Sequence, residues 1–265
     1  MSHDTEFYTE QTIASWDEAA DIHSNINFDL LEQVSHASYN HLNPVFNTLI
    51  DDYGVKNKSI AQVCCNNGID LISIKNKGAE RCVGIDGSAE FIKQANILSQ
   101  AANHQDIEYL CSDIYSVPNE YHNKFDLVFI TVGVLYWMPD INRFLSVCSQ
   151  LLKTGGHLLI EEIHPIVNMY EEGAPSYIQN SYFDKTPCKD ESGLDYFTNQ
   201  TYKGKPNYWF SHKLSDILNG ALATNLSLKR FDELSYNTGN YCADLETIDS
   251  NPPLTMHLVF EKGMS

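Results

Sequence analysis

The sequence predicts an α/β fold on an open, doubly wound, mostly parallel sheet, and three observations carry the prediction. From Ser59 onward, short β-branched or apolar runs alternate with longer stretches of helical periodicity, as successive βαβ units do. The first three runs each end in a polar, turn-forming segment, where open sheets of this kind bind ligands. A length of 265 residues accommodates one such domain plus an elaboration.

The expected strands are Ser59–Val63, Arg81–Ile85, Ile107–Cys111, Phe125–Thr131 and Gly156–Glu162. Helices are expected at Asp70–Lys77, Ala89–Asn103 and Ile141–Leu152, the last closed by the Gly-rich stop Lys153-Thr154-Gly155-Gly156. Ahead of the sheet, Phe28, Leu31, Val34, Val45, Phe46 and Leu49 recur at helical spacing between Trp16 and Tyr53, as in a packing helix or a lid. After the fifth strand the pattern breaks. An insertion from Ile166 to Phe210 carries Tyr170, Tyr177, Tyr182, Phe183, Tyr196, Phe197, Tyr202, Tyr208 and Trp209, which suits an antiparallel flap with its rings packed together. A helix at Ser215–Asn225 and strands at Leu226–Leu234 and Leu254–Glu261 complete the sheet. The whole reads as a single domain: a helical lid segment over 1–55, a core over 56–165, a substrate cover over 166–211 and a closing helix and strands over 212–265.

An apolar fraction of 43% is that of a globular chain. The net charge of −18 opposes a phosphate backbone, since such affinity comes from Lys and Arg displacing counterions; nucleic acid and anionic membranes are therefore not expected partners. Met1–Glu10 lacks the basic start and apolar core of a signal peptide, and no run approaches the roughly 20 apolar residues of a membrane span, so a cytoplasmic protein is expected. Seven scattered cysteines form no C-x-x-C pair; reduced thiols and no metal site are expected. Oligomeric state, monomer or homodimer, is not legible.

The chemistry concentrates at the strand ends. After the first strand comes Val63-Cys64-Cys65-Asn66-Asn67-Gly68-Ile69-Asp70, whose small or turn-prone residues would let a ligand approach backbone N–H groups; the plain alternative is an ordinary βα turn. The second strand ends in Asp86-Gly87-Ser88, an acid about 20 positions on, placed to accept both hydroxyls of a ribose. The third ends in Cys111-Ser112-Asp113-Ile114, where Asp113 could accept from an adenine amino group while the Ile114 N–H donates to the ring. Singly, each acid reads as a solvated strand end.

With these residues the chain resembles the class I S-adenosylmethionine (SAM)-dependent methyltransferase family over Ser59–Glu162, more weakly to the end. The family's Asp/Glu-x-Gly-x-Gly-x-Gly motif corresponds here to Gln62, Cys64, Asn66 and Gly68, so one glycine survives, as in a bacterial small-molecule subgroup with a variant loop. Phe125-Asp126-Leu127-Val128, Trp137-Met138-Pro139-Asp140, Leu151–Gly156 and Leu158–Glu162 also match. The resemblance implies a Rossmann-like methyltransferase fold of seven strands, the last antiparallel. It implies SAM as cofactor, giving S-adenosylhomocysteine (SAH), held by Cys64, Cys65, Asn66, Gly68, Asp86, Gly87, Ser88, Asp113, Ile114 and Thr131. A nicotinamide dinucleotide is the other reading, but it needs a second loop glycine where Asn66 stands.

Alignment alone supplies much of the barrier reduction in methyl transfer, about 7–11 kcal/mol, and a general base matters when the nucleophile arrives protonated. His164, in Glu162-Ile163-His164-Pro165 at the end of the fifth strand, is the first candidate base, and His212 the second; the plain readings are surface histidines. Tyr136, Trp137, Tyr208 and Trp209 are expected to wall a small-molecule acceptor. The function predicted is a SAM-dependent small-molecule methyltransferase, against a binding module of the same fold that has lost turnover.

Overall fold

A computed structural model describes residues 3–26, 29–195 and 202–264. Three helices come first: α1 (His3–Ile26), α2 (Leu30–Ser35) and α3 (Pro44–Tyr53). Then β1 (Ser59–Val63), α4 (Ile69–Asn76), β2 (Arg81–Asp86), α5 (Ala89–Ala101), β3 (Glu108–Cys111), β4 (Phe125–Ile130), α6 (Ile141–Leu151) and β5 (Leu152–Ile163) follow in strict alternation, with single helical turns between β3 and α6. The insertion holds β6 (Tyr170–Glu171), β7 (Tyr177–Ile178), β8 (Cys188–Asp190) and β9 (Asn207–Trp209); α7 (Leu214–Leu222), β10 (Leu226–Leu234) and β11 (Thr255–Lys262) close the chain.

Seven strands form one sheet in the order β10-β11-β5-β4-β1-β2-β3. β1 pairs in parallel with β2 and β4, and β11 runs antiparallel to both β5 and β10. Strand alternation splits the core between the two faces. Leu127, Phe129, Leu159 and Val259 pack with Phe46 and Ile50 of α3 and Leu71 and Ile74 of α4, while Val128, Ile130, Leu158 and Ile160 pack with Phe144 and Leu145 of α6 and Ile217 of α7. Side-chain caps set the helix starts that face the carboxyl ends: Ser88 Oγ accepts from Phe91 N–H (3.2 Å) for α5, and Asp140 Oδ1 accepts from Arg143 N–H (3.0 Å) for α6.

Two expectations change. The chain past α6 enters β5 at Leu152, where a Gly-rich stop was expected: Leu152 already pairs with Phe125, and Gly155 (φ 76°) sits in the register shift before Leu127 pairs with His157. The N-terminal helix begins at His3 rather than near Trp16. Its buried face is Thr5, Thr9, Thr12, Ser15, Ala19, Ala20 and His23, which gives no apolar stripe to read. The insertion forms two separate antiparallel pairs, β6–β7 and β8–β9. Phe28, Tyr196 and Phe197 lie outside the described residues. No described helix is long and apolar enough to cross a membrane.

Candidate functional site

At the carboxyl end of β1 the chain turns through three left-handed residues, Cys64 (φ 54°), Asn66 (50°) and Gly68 (77°). For Cys64 this is a strained conformation, held because Cys65 N–H donates to Ile85 O (3.0 Å) and Gly68 N–H to Cys65 O (2.9 Å). The loop thus lies over β2. Tyr109 of β3 runs beneath it, its hydroxyl 2.8 Å from Ser99 Oγ; a Cβ on Gly84 would stand 2.7 Å from that ring, and one on Gly68 would overlap it outright.

Asp86 ends β2 against this loop. Its Oδ2 accepts from Asn66 N–H (2.8 Å) and its Oδ1 from Ser88 N–H (2.9 Å). Burial pushes its pKa up to about 6 in spite of these bonds. One strand over, Asp113 Oδ1 accepts from Tyr115 N–H (3.0 Å) and its Oδ2 from Thr9 Oγ1–H (3.3 Å), with Ile114 buried beside it. Ser88, expected among the cofactor residues, spends its hydroxyl on capping α5 and on a 2.5 Å bond to Asp17 of α1. Gly87 lies under Ile13 of the same helix.

Gln62 stands where the family motif has an acid, and the structure brings another carboxylate to it. Gln62 Nε2 lies 3.4 Å from Asp70 Oδ2 and donates to Thr131 Oγ1 (3.1 Å). Asp70 Oδ1 is 2.9 Å from His41 Nδ1, and that bond raises the imidazole's pKa. Among the described residues the buried Gln62 Oε1 and Tyr39 hydroxyl find no hydrogen-bond partner, and burial, then Asp70, pushes the Tyr39 phenol up to about 12. An unsatisfied buried polar atom costs about 1–3 kcal/mol, so two at one strand end point to a polar ligand. Tyr39, His41 and Asp70 were not singled out from the sequence, because the first two come from the α2–α3 connection and only tertiary folding delivers them.

Glu162, near the end of β5, was also missed as a site residue. Its Oε1 accepts from Gly133 N–H (2.7 Å) and Ile163 N–H (2.8 Å), and its Oε2 from Leu135 N–H (2.9 Å). Burial raises its pKa to about 7. The carboxylate ties the segment after β4 to β5 and so orients Tyr136 and Trp137. Tyr136 donates to Ile163 O (3.3 Å). Trp137 is the middle of a row made of all three tryptophans, 5.3 Å from Trp16 and 5.2 Å from Trp209 between centroids. Tyr208 stacks edge-on against Tyr8 of α1 at 4.9 Å. Trp137 and Tyr208 therefore meet α1, Trp209 joins the row through Trp137, and Tyr136 turns to the end of β5.

The two histidines are placed differently from a free base. His164 is buried on the β10–β11 side of β5: its Nδ1 accepts from Ile166 N–H (3.2 Å), and its Nε2 sits 3.2 Å from Glu233 Oε1, off the line of a hydrogen bond. Burial lowers its pKa despite that carboxylate. His212 Nε2 donates to Met138 O (2.8 Å), and burial lowers its pKa as well. His212 lines a cavity of about 400 Å³ with Pro139, Phe210 and Asp216. All seven cysteines are free, and among the described residues no three His, Cys, Asp or Glu side chains converge as metal ligands.

Residues 61–160 match the family model described as a methyltransferase domain, and those residues run from β1 into β5 and include the carboxyl ends of β1, β2, β3 and β4. Over this stretch the chain is similar to the methyltransferase domain family. A tRNA U34 carboxymethyltransferase of Cellvibrio japonicus is 30% identical over 136 residues, 49% of this chain and 41% of that protein, so the match spans well under half the relative's length. A ubiquinone biosynthesis O-methyltransferase of Acinetobacter baumannii is 24% identical over 198 residues, 74% of this chain and 76% of the relative. A SAM-dependent methyltransferase of Clostridium acetobutylicum superposes with a TM-score of 0.62 at 12% identity, covering 92% of this chain and 99% of that one, which shows the shared fold.

Proposed function

We propose that this methyltransferase transfers the methyl group of SAM to a small-molecule acceptor held under α1 and the insertion. The observation that carries the reading is the polar row at the carboxyl ends of β3, β2, β1 and β4: Asp113, Asp86, the left-handed Cys64–Gly68 loop, Gln62 with Asp70, and Thr131. These residues fit the cofactor. Asp86 suits ribose hydroxyls and Asp113 an adenine amino group. The unpartnered Gln62 Oε1 and the Asp70 carboxylate suit the α-ammonium, and the unpartnered Tyr39 hydroxyl suits the carboxylate. Asp70 would then supply the charge that the motif acid gives elsewhere in the family.

Bound SAM would supply a sulfonium methyl group, whose carbon bonds to an acceptor lone pair as the C–S bond breaks and its electrons remain on sulfur. The chain's part is alignment. Glu162 holds the segment after β4, and through it Trp137, so that a planar or apolar acceptor packs in a fixed plane beside the methyl. His164 accepts from Ile166 N–H at Nδ1 and is buried beside Glu233, and His212 donates to Met138 O, so alignment rather than a histidine base carries the step.

The likeness to a ubiquinone biosynthesis O-methyltransferase over three-quarters of both chains supports a small acceptor. The likeness to a tRNA U34 carboxymethyltransferase covers 49% of this chain, and a net charge of −18 disfavours RNA. Calorimetric titration with SAM and SAH tests the reading: both should bind, and no heat from either would overturn it. Methyl-labelled SAM incubated with total tRNA and, separately, with a low-molecular-weight cell extract should label only the extract. Label in the tRNA would overturn the small-molecule acceptor.

A further inference from the structure

α1 lays residues four apart along the stations read above as the nucleoside site. Thr9 donates to Asp113 Oδ2 at 3.3 Å, and Asp17 Oδ1 accepts from Ser88 Oγ–H (2.5 Å) and Glu90 N–H (3.2 Å). One turn from each lies Ile13, packed on Gly87: a Cβ on Gly87 would stand 2.6 Å from Ile13 Cδ1 and 2.7 Å from Cγ1. Gly87 has no left-handed φ, so its backbone does not call for glycine. What excludes a side chain at 87 is Ile13, which fills the volume that side chain would take. The helix is held in this register by Trp16 against Trp137 and by Gln94 Nε2 donating to Ala20 O (2.7 Å).

We propose that Ile13 is the apolar wall on which the cofactor's adenine packs, supplied by α1 in place of a side chain at position 87. The inference rests on the reading of Asp86 and Asp113 as the ribose and adenine partners. β2 and β3 are neighbours with Asp86 opposite Cys111, so a nucleoside bridging the two acids passes Gly87. The base needs an apolar surface there. The polar neighbours on α1, Thr9 and Asp17, are spent on Asp113, Ser88 and Glu90, and Ile13 alone of the stripe offers hydrocarbon. It is half-buried. Cofactor affinity therefore depends on the docked N-terminal helix.

A size exchange read by SAH titration tests this. Ile13→Ala removes three carbons of a half-buried side chain and should weaken SAH binding about tenfold. Gly87→Ile should also weaken it, because the new side chain collides with Ile13 and lifts α1, shifting the tryptophan emission as Trp16 leaves Trp137. The double variant should return to within about threefold of the wild type. Ile13→Leu, of equal volume, should keep the affinity and Ile13→Asn should lose it, which serves if the Gly87 variants do not fold. Ile13→Ala or Ile13→Asn binding SAH as tightly as the wild type overturns the proposal, as does a folded double variant no better than Ile13→Ala. Absence of SAH binding by the unaltered chain would instead overturn the cofactor reading.

Discussion

If Asp86 holds the cofactor's ribose as proposed, cofactor affinity should depend on pH, with a sign set by the raised pKa of its carboxyl. Its pKa is raised from 3.8 to about 6 because burial penalises the charge more than the Asn66 and Ser88 N–H groups favour it. Ribose hydroxyls donate to the ionised form and lose an acceptor when it is protonated, so SAH affinity should rise with pH and level off above 7. With a pKa near 6, about one-eleventh of the sites are ionised at pH 5 and about half at pH 6, which predicts binding about tenfold weaker at pH 5 than at pH 8. The free protein should show the opposite trend. A raised carboxyl pKa contributes stability that is present below 3.8 and lost as pH rises through 6, about 3 kcal/mol for this group. Bound SAH should therefore raise the melting temperature more at pH 8 than at pH 5. Calorimetric titration at pH 5, 6, 7 and 8 reads the affinity, and Asp86→Asn, which keeps the shape and one acceptor, removes only this titration. A flat wild-type profile, or an equal slope in Asp86→Asn, would refute the assignment of Asp86 to the ribose.

Other perturbations probe the neighbouring elements. Asp70→Ala should weaken SAH about 10–100-fold by removing a charge-assisted contact to the ammonium, while 5′-methylthioadenosine, which lacks the amino-acid part, binds unchanged; equal losses for both ligands would place Asp70 elsewhere. Glu162, raised from 4.5 to about 7, contributes stability present below 4.5 and lost as pH rises through 7, about 3 kcal/mol, so melting curves from pH 5 to 8 should slope down in the wild type more than in Glu162→Gln. Trp209→Ala takes the outermost ring of the row and should raise acceptor KM while leaving the SAH dissociation constant within about twofold. His164→Ala should lose about 1 kcal/mol of stability with its cap on Ile166 and keep the wild-type pH profile of turnover; a lost alkaline rise would return it to the mechanism as a base.

What the sequence showed depended on whether local pattern or tertiary contact carried the signal. β1 and β10 have the bounds expected of them, since apolar or β-branched runs bounded by breakers declare themselves. Asp86 and Asp113 were legible from their positions at successive strand ends. α1 was legible only from Trp16 on, because its inner face is threonine, serine, alanine and one histidine, and its contacts to Gly87, Ser88 and Asp113 join residues far apart in the chain. The replacement of the motif acid by Gln62 was plain, but its complement was not: Asp70 reads as an ordinary first-turn acid of α4 until Gln62 and His41 are seen on either side of it. Glu162 left a trace that went unused, two consecutive acids inside an apolar strand, both buried in the fold. His164 was placed correctly at the end of β5, and only its partners on β10 and in the following turn show how its nitrogens are engaged.

The most direct test of the account is a crystal structure of the full chain with SAH. The account predicts the ribose hydroxyls within hydrogen-bond distance of Asp86, the adenine amino group at Asp113 with one ring face on Ile13, and the ammonium between Gln62 and Asp70. SAH bound with its ribose away from Asp86, or with its amino-acid part away from the β1 end, would contradict it.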